Sequence, residues 1–247
     1  MSWKEEYERK LCTAAEAVKH IKNGDTVVLG HAVGEPAALV DAMVANAANY
    51  KGVMLHHMVS LGKGAWTTPG LEESFRDDPM FASANVRVAI EEGRADFTPA
   101  FFHEVPKLLR DGKLKCDVVL LQTSLPDENG NCSMGVSSDY TYEAAKTAKT
   151  VIAQVNERYP WTYGPTLHIS EFDHIVKVST PIYELPPAQI GEVEEKIGAN
   201  CASLIEDGST LQLGIGGIPD AVMLFLDDKK DLGIHSEMIS EIGRAHV

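Results

Sequence analysis

Basic residues are scarce in this sequence, and it has no apolar run long enough to span a bilayer. Its 247 residues include 22 Lys and Arg against 36 Asp and Glu, which gives a formal net charge of −14. An acidic chain repels phosphate backbones, so we expect no nucleic-acid partner. A membrane-spanning helix needs about 20 consecutive apolar residues, so we also expect no membrane segment.

Cysteines are few and isolated. The chain has four of them, with no CxxC pair and no Cys/His cluster at metal-binding spacing. We therefore expect four reduced thiols and no bound metal. The charged start Trp3-Lys4-Glu5 lacks the apolar core of a signal peptide, which favours a cytoplasmic protein. The four cysteines are Cys12, Cys116, Cys132 and Cys201.

Strand-like and helix-like patterns alternate along the chain. Short β-branched, apolar runs predict strands near 26–29, 53–59, 117–121 and 150–155. Helical composition fills 37–48 and 141–148. Alternation of this kind is typical of an α/β protein with an open, mostly parallel sheet.

The chain begins to repeat itself after about residue 190. Residues 21–30 resemble 205–214, and each segment leads through a short loop to a proline (Pro36 or Pro219) and an Ala/Val-rich helix. A second strand then follows in each copy, and alignment of 54–60 with 234–240 places His57 opposite Glu237. Prolines mark 180–189 as a connection. We predict one complete domain at 1–185 and the truncated beginning of a second, similar domain at 190–247.

A glycine-containing loop lies between a predicted strand and helix of the second copy. Glycines there let the backbone approach a ligand closely, which suits a phosphate or an oxyanion. Pro219 stands where the dinucleotide fingerprint would have its third glycine. A tight turn that packs a helix onto a strand is the alternative. The loop residues are Gly214, Ile215, Gly216, Gly217 and Ile218.

Glu237 lies near the carboxyl end of the predicted strand 232–240. Ligand sites of open α/β sheets form outside these strand ends. A carboxylate among apolar residues can serve as a nucleophile or a general base. A solvent-facing glutamate on an edge strand explains the position equally well. In the first copy, His31, Glu35 and His57 are candidates for the same cleft, with simple packing as the alternative for His57.

Several segments together resemble the acetyl-CoA hydrolase/transferase family, and more narrowly its 4-hydroxybutyrate and butyryl-CoA:acetate CoA-transferase branch. The resemblance covers about residues 3 to 240. It is carried by the segments 34–40, 102–106, 136–140, 201–208, 214–222 and 235–238.

The resemblance implies two similar α/β domains in tandem and a coenzyme A substrate without a metal. It assigns Glu237 as the carboxylate that becomes a glutamyl-CoA thioester, and residues 214–218 as the contact with the thioester end of CoA. It implies transfer of CoA between butyryl- or 4-hydroxybutyryl-CoA and acetate in fermentative metabolism. A hydrolase of the same family and a non-catalytic binding module stay open as alternatives.

The family continues for another domain after the Ser-Glu-Met motif, whereas this sequence ends with 241–247. The tail does not resemble the family, so we expect an artificial or frameshifted end and a fragment that is an incomplete enzyme. Cytosolic enzymes often form symmetric homodimers or tetramers, so we expect a homo-oligomer.

Overall fold

Eight strands lie in the first part of the chain, and six of them form one parallel sheet. In the computed structural model, which describes residues 2–238, the sheet order is β3-β2-β1-β4-β6-β8, and the short β5 and β7 pair antiparallel beside it. The strands are β1 (Thr26–Leu29), β2 (Val53–His56), β3 (Phe75–Asp77), β4 (Val118–Thr123), β5 (Asn131–Ser133), β6 (Thr150–Asn156), β7 (Thr166–His168) and β8 (His174–Val178).

Helices cover both faces of this sheet. They are α1 (Trp3–Lys10), α2 (Ala14–Ala17), α3 (Ala37–Ala45), α4 (Arg87–Glu91), α5 (Val105–Arg110) and α6 (Tyr140–Thr147), with short 3₁₀ turns between them. Alternate residues of the strands enter two separate cores. Val28 and Val119 pack on one face, whereas Val27 and Val118 pack on the other. Strands buried on both faces explain the continuous apolar runs that predicted an α/β fold, and that prediction is confirmed.

The strand order reverses between β1 and β4. From β1 the sheet grows through β2 to β3, and from β4 it grows through β6 to β8. The carboxyl ends of all six parallel strands lie at one edge, and ligands of open α/β sheets bind at such a reversal. This edge is therefore the place to look for functional side chains in the first unit.

The chain divides into two compact units, one ending at Glu184 and one beginning at Leu185. The second contains α7 (Glu192–Ala202), β9 (Thr210–Leu211), α8 (Gly217–Met223) and β10 (Gly233–Ile234). Its core is small and is built around Ala202, Leu211, Val222, Met223 and Leu226. The predicted strand 232–240 is much shorter than expected among the described residues, and its last two positions, like the tail 241–247, lie outside them.

The same β–loop–α–β arrangement occurs in both units, as the internal repeat predicts. β1 pairs with β2 in parallel, and β9 pairs with β10 in parallel. The turn before the first strand is also shared. The amide of Lys51 donates to Asn23 Oδ1 at 2.8 Å, and the amide of Lys230 donates to Asp207 Oδ1 at 2.9 Å. The similarity therefore includes side-chain contacts as well as element order.

The strand register corrects one detail of the sequence alignment. Thr26 pairs with Met54, and its counterpart Thr210 pairs with Gly233. Counting onward from these pairs places His57 opposite Ser236 and Met58 opposite Glu237. The predicted match of His57 with Glu237 is therefore wrong by one residue when the register of the paired strands is continued.

No helix among residues 2–238 combines the length and the apolarity that crossing a membrane requires.

Candidate active site

Amide side chains form a buried network near the carboxyl edge of the first unit's sheet. Gln122 on β4 accepts through Oε1 from Gln154 Nε2 at 2.7 Å and from Asn156 Nδ2 at 3.0 Å, both on β6. Gln154 Oε1 in turn accepts from the backbone amides of Ala38 and Leu39 at 2.9 and 3.4 Å. A side chain of β6 therefore satisfies two of the first amides of α3, which are not left free for a ligand.

His31 follows β1 and is held by a carboxylate. The ring is 6% exposed, and Nδ1 lies 2.6 Å from Asp139 Oδ2. No described residue bonds to Nε2. Ala32, the next residue, has a φ of 50°, an uncommon conformation for a residue with a side chain that is often found at functional sites. An imidazole fixed in this way presents one nitrogen to a ligand.

Asp139 has a full set of donors. Its carboxylate accepts from Ser137 Oγ at 2.8 Å and from both the amide and the hydroxyl of Thr141 at 3.0 Å. Burial acts to raise the pKa of Asp139, but the hydrogen bonds and the charge of His31 outweigh it and hold the pKa below its usual value. An ionised Asp139 keeps the proton of His31 on Nδ1, which orients the ring.

Glu35 lies in the same loop as His31 and is 2% exposed. Its Oε2 accepts from Ser60 Oγ at 2.8 Å and from the amides of Leu61 and Gly62 at 3.1 and 3.2 Å. Its Oε1 is buried and has no hydrogen-bond partner among the described residues. Burial raises the pKa of Glu35, although these hydrogen bonds oppose the shift.

His57 is 1% exposed, and both of its ring nitrogens are occupied. Nδ1 donates to the carbonyl of Met58 at 2.8 Å, and Nε2 lies 3.1 Å from Asp77 Oδ1. The indole of Trp66 donates to the same oxygen at 2.9 Å. Complete burial acts to lower the pKa of His57, but the hydrogen bond and charge of Asp77 raise it above its usual value. Contact with a substrate would require the ring to leave Asp77.

The glycine loop of the second unit is open. Gly216, with a φ of 125° and a ψ of 176°, has a conformation essentially restricted to glycine. A Cβ atom at Gly216 would meet no atom within 4 Å. Ile215 and Ile218 are both more than 40% exposed. No described side chain bonds to the amides of Gly217 or Ile218, so the loop keeps free donors at the start of α8.

Glu237 is exposed and follows β10 by three residues. Ser236 connects this position to the glycine loop, because its hydroxyl donates to the carbonyl of Leu213 at 2.9 Å. Ser236 Oγ also accepts from the amide of Met238 at 3.2 Å, which fixes the backbone on both sides of Glu237. The structure therefore brings Glu237 and the residues at 214–218 to the same end of the paired strands β9 and β10.

The sequence interpretation missed the partners of its candidate residues. It did not identify Asp139, Asp77, Gln154 or the turn at 60–62. One signal was available, since Gln154 and Asn156 interrupt an otherwise apolar strand and amides in such places need partners. The described residues contain no group of three or more His, Cys, Asp or Glu side chains placed to hold a metal ion.

Comparison with known proteins adds independent information. The family model of the acetyl-CoA hydrolase/transferase N-terminal domain matches residues 1–183. Among curated proteins, the 4-hydroxybutyrate coenzyme A transferase of Clostridium kluyveri is 54% identical over 98% of the chain and 56% of its own length. The succinyl-CoA:cyclohexane-1-carboxylate CoA transferase of Geobacter metallireducens is 41% identical over 97% of the chain and 55% of its own length.

Solved structures agree with these matches. A 4-hydroxybutyrate CoA-transferase from Porphyromonas gingivalis has a TM-score of 0.84 at 40% identity and covers 98% of the chain and 58% of its own. RipA from Yersinia pestis has a TM-score of 0.89 at 31% identity over 97% of the chain and 58% of its own. The chain thus spans a little over half the length of the relatives that it matches.

Proposed function

Because this chain belongs to the acetyl-CoA hydrolase/transferase family, we propose that it is part of a CoA-transferase acting on a short-chain acyl-CoA and a carboxylic acid. Butyryl- or 4-hydroxybutyryl-CoA as the donor and acetate as the acceptor are the proposed substrates. The names of two relatives support this choice, the 4-hydroxybutyrate enzyme of Clostridium kluyveri and the butyryl-CoA:acetate CoA-transferase of Anaerostipes caccae, which is 33% identical.

In this proposal the carboxylate of Glu237 is the nucleophile. It attacks the thioester carbonyl of the acyl-CoA, and the C–S bond breaks to release CoA thiolate and leave an acyl-glutamyl anhydride. The thiolate then attacks the glutamyl carbonyl of the anhydride, which forms a glutamyl-CoA thioester and frees the acid. A second acid reverses these steps, so the thioester energy is conserved without hydrolysis.

The backbone of residues 214–218 is proposed to contact the thioester end of CoA. Its free amides can stabilise the oxyanion that forms in each tetrahedral step. The observation that carries the proposal is the Ser236–Leu213 hydrogen bond, which holds Glu237 beside this loop at the ends of two parallel strands. No step in this sequence requires a metal.

We place the substrate pocket at the carboxyl edge of the first unit's sheet. His31 is its strongest member, since Nε2 is free among the described residues while Asp139 fixes the ring. Glu35 and His57 lie at the same edge, but their hydrogen bonds favour a supporting role over direct contact. A cytoplasmic location and assembly into a homo-oligomer stay predictions.

A trapping experiment tests this function. The chain is incubated with butyryl-CoA, reduced with borohydride to mark a glutamyl thioester, and analysed by intact mass and peptide mapping. A chimera that extends the chain with the C-terminal part of the Clostridium kluyveri relative is treated in parallel. We expect modification at Glu237, its loss in Glu237→Gln, and its retention in the matched surface variant Glu206→Gln.

The two proteins distinguish an incomplete enzyme from a wrong assignment. Modification in the chimera alone would show that the chain needs the additional length to react. This is the result expected if the chain is an incomplete enzyme. Unchanged turnover in Glu237→Gln of the chimera would exclude the mechanism. Rapid CoA release without an added acid would favour the hydrolase, and CoA binding without modification of either protein would favour the binding module.

A further inference from the structure

The turn at 60–62, which follows β2, is held by side chains on two sides. From one side Glu35 Oε2 accepts from the hydroxyl of Ser60 and from the next two backbone amides. From the other side Asn85 Nδ2 donates to Ser60 Oγ at 2.8 Å and to the carbonyl of Gly62 at 2.9 Å. The backbone of this turn therefore has little freedom to move.

Gly62 leaves the space that the Glu35 carboxylate occupies. The φ of Gly62 is not positive, so backbone conformation does not require a glycine there. A Cβ atom at this position would overlap Glu35 Oε1 and would lie 2.8 Å from the hydroxyl of Tyr183. A side chain at 62 and the present position of Glu35 are therefore mutually exclusive.

The turn also contacts the loop that carries His31. The amide of Ala32 donates to the carbonyl of Val59 at 2.8 Å, and Ala32 forms a parallel bridge with Ser60. Glu35 belongs to the first loop and bonds to the second, so one side chain joins the segments that follow β1 and β2. Movement of the turn would consequently reach the backbone next to His31.

We propose that Glu35 is a positioning residue, which fixes the turn at 60–62 against the loop of His31 and so shapes the substrate pocket without contacting the substrate. The part of this inference that concerns substrate rests on the proposed function. The part that concerns Glu35, the turn and Gly62 does not, and the two parts are measured separately.

Amide exchange in this chain tests the mechanical part. In Glu35→Ala the amides of Leu61 and Gly62 lose their acceptor, so we expect their exchange to accelerate by at least about tenfold. Glu35→Gln keeps one oxygen that can accept from the same donors, so we expect it to restore the protection. Unchanged exchange in Glu35→Ala, or no rescue by Glu35→Gln, would overturn the proposal. Should Glu35→Ala fail to fold, Glu35→Asp, whose shorter side chain withdraws the acceptor from the two amides, replaces it with the same expected acceleration.

A double-mutant cycle tests the steric part. Gly62→Ala should lower the melting temperature of the wild type, because the new methyl group displaces the carboxylate. In the Glu35→Ala background the same change should have a smaller effect, because only the hydroxyl of Tyr183, at the end of its side chain, then lies close to the new methyl group. Equal effects in the two backgrounds would show that Gly62 does not accommodate Glu35.

Steady-state kinetics in the chimera test the link to substrate. We expect Glu35→Ala to raise the KM for butyryl-CoA by about tenfold with a much smaller change in kcat, and Glu35→Gln to restore KM. An unchanged KM in an active chimera would reduce Glu35 to a purely structural residue and overturn the positioning role. An inactive chimera would contradict the proposed function, whereas the exchange and cycle results would still decide the role of Glu35.

Discussion

Replacement of Asp77 with asparagine should destabilise the first unit in a pH-dependent way. His57 Nδ1 already donates to the carbonyl of Met58, so a hydrogen bond from Nε2 to Asp77 requires the ring to carry both protons. Removal of one partner from a buried ion pair costs about 3–5 kcal/mol. Asparagine keeps an acceptor oxygen for the indole of Trp66. We therefore expect Asp77→Asn to lower the free energy of unfolding by about 3 kcal/mol, near the lower end of this range.

The pH dependence follows from the raised pKa of His57. Burial opposes the shift, but the hydrogen bond and charge of Asp77 place the folded-state pKa above the usual 6.5. The folded state therefore binds this proton more tightly than the unfolded state does. The stabilising contribution is fully present below the unfolded-state value and is lost as the pH rises through the folded-state pKa.

Urea denaturation of the wild type and Asp77→Asn at about pH 6 and about pH 9 measures this effect. We expect the difference in the free energy of unfolding to be larger at the lower pH. Asp96→Asn is the control, because Asp96 forms an exposed ion pair with Arg76. This variant should lower the free energy of unfolding by less than about 1 kcal/mol. Equal losses at both pH values, or a loss no larger than that of the control, would refute a charged His57–Asp77 pair.

Three further changes have defined outcomes. Gln154→Leu should lower the stability of the first unit by about 2 kcal/mol in urea denaturation, because the amides that begin α3 lose their acceptor. Asp139→Asn should shift the proton of His31 away from Nδ1, which ¹⁵N NMR of the imidazole detects; an unchanged spectrum would show that Asp139 does not fix the tautomer. Gly216→Ala should destabilise the second unit by about 1–3 kcal/mol. Gly214→Ala, whose Cβ atom would make an ordinary 3.8 Å contact, should be nearly neutral.

Apolar runs predicted four of the six strands of the first sheet, because residues buried on both faces leave a continuous signal, but β3 and β8 were not predicted. β1 has the predicted bounds, and β6 ends one residue later than predicted. β4 begins one residue later and ends two residues later than predicted. The strand predicted at 53–59 ends at His56, and the side chain of the next residue, His57, contacts Asp77 on β3. Such an ending depends on partners far along the chain, which local composition does not report.

In the candidate site, too, local sequence predicted the positions of residues but not their distant partners. Position after a strand was enough to select His31 and Glu35 from the sequence. Their partners were not predictable, because Asp139 lies 108 residues from His31 and meets it only in the folded chain. The alignment error at His57 has a related cause, since backbone hydrogen bonds and not residue similarity determine the strand register.

The two copies of the β–loop–α–β unit differ in the hydrogen bonds that their loops make. In the first copy, Gln154 accepts from the amides that begin α3, and Glu35 joins the loop to the turn after β2. In the second copy, Pro219 matches Pro36, so Ile218 replaces Glu35 and is exposed. No described side chain bonds to the amides of Gly217 or Ile218. In the first copy the corresponding amides, those of Gly34 and Glu35, donate to the carbonyls of His31 and Ala32 at 2.8 and 3.1 Å. The first loop thus uses these donors itself, whereas the second keeps them free, which supports the proposed catalytic role of the second copy.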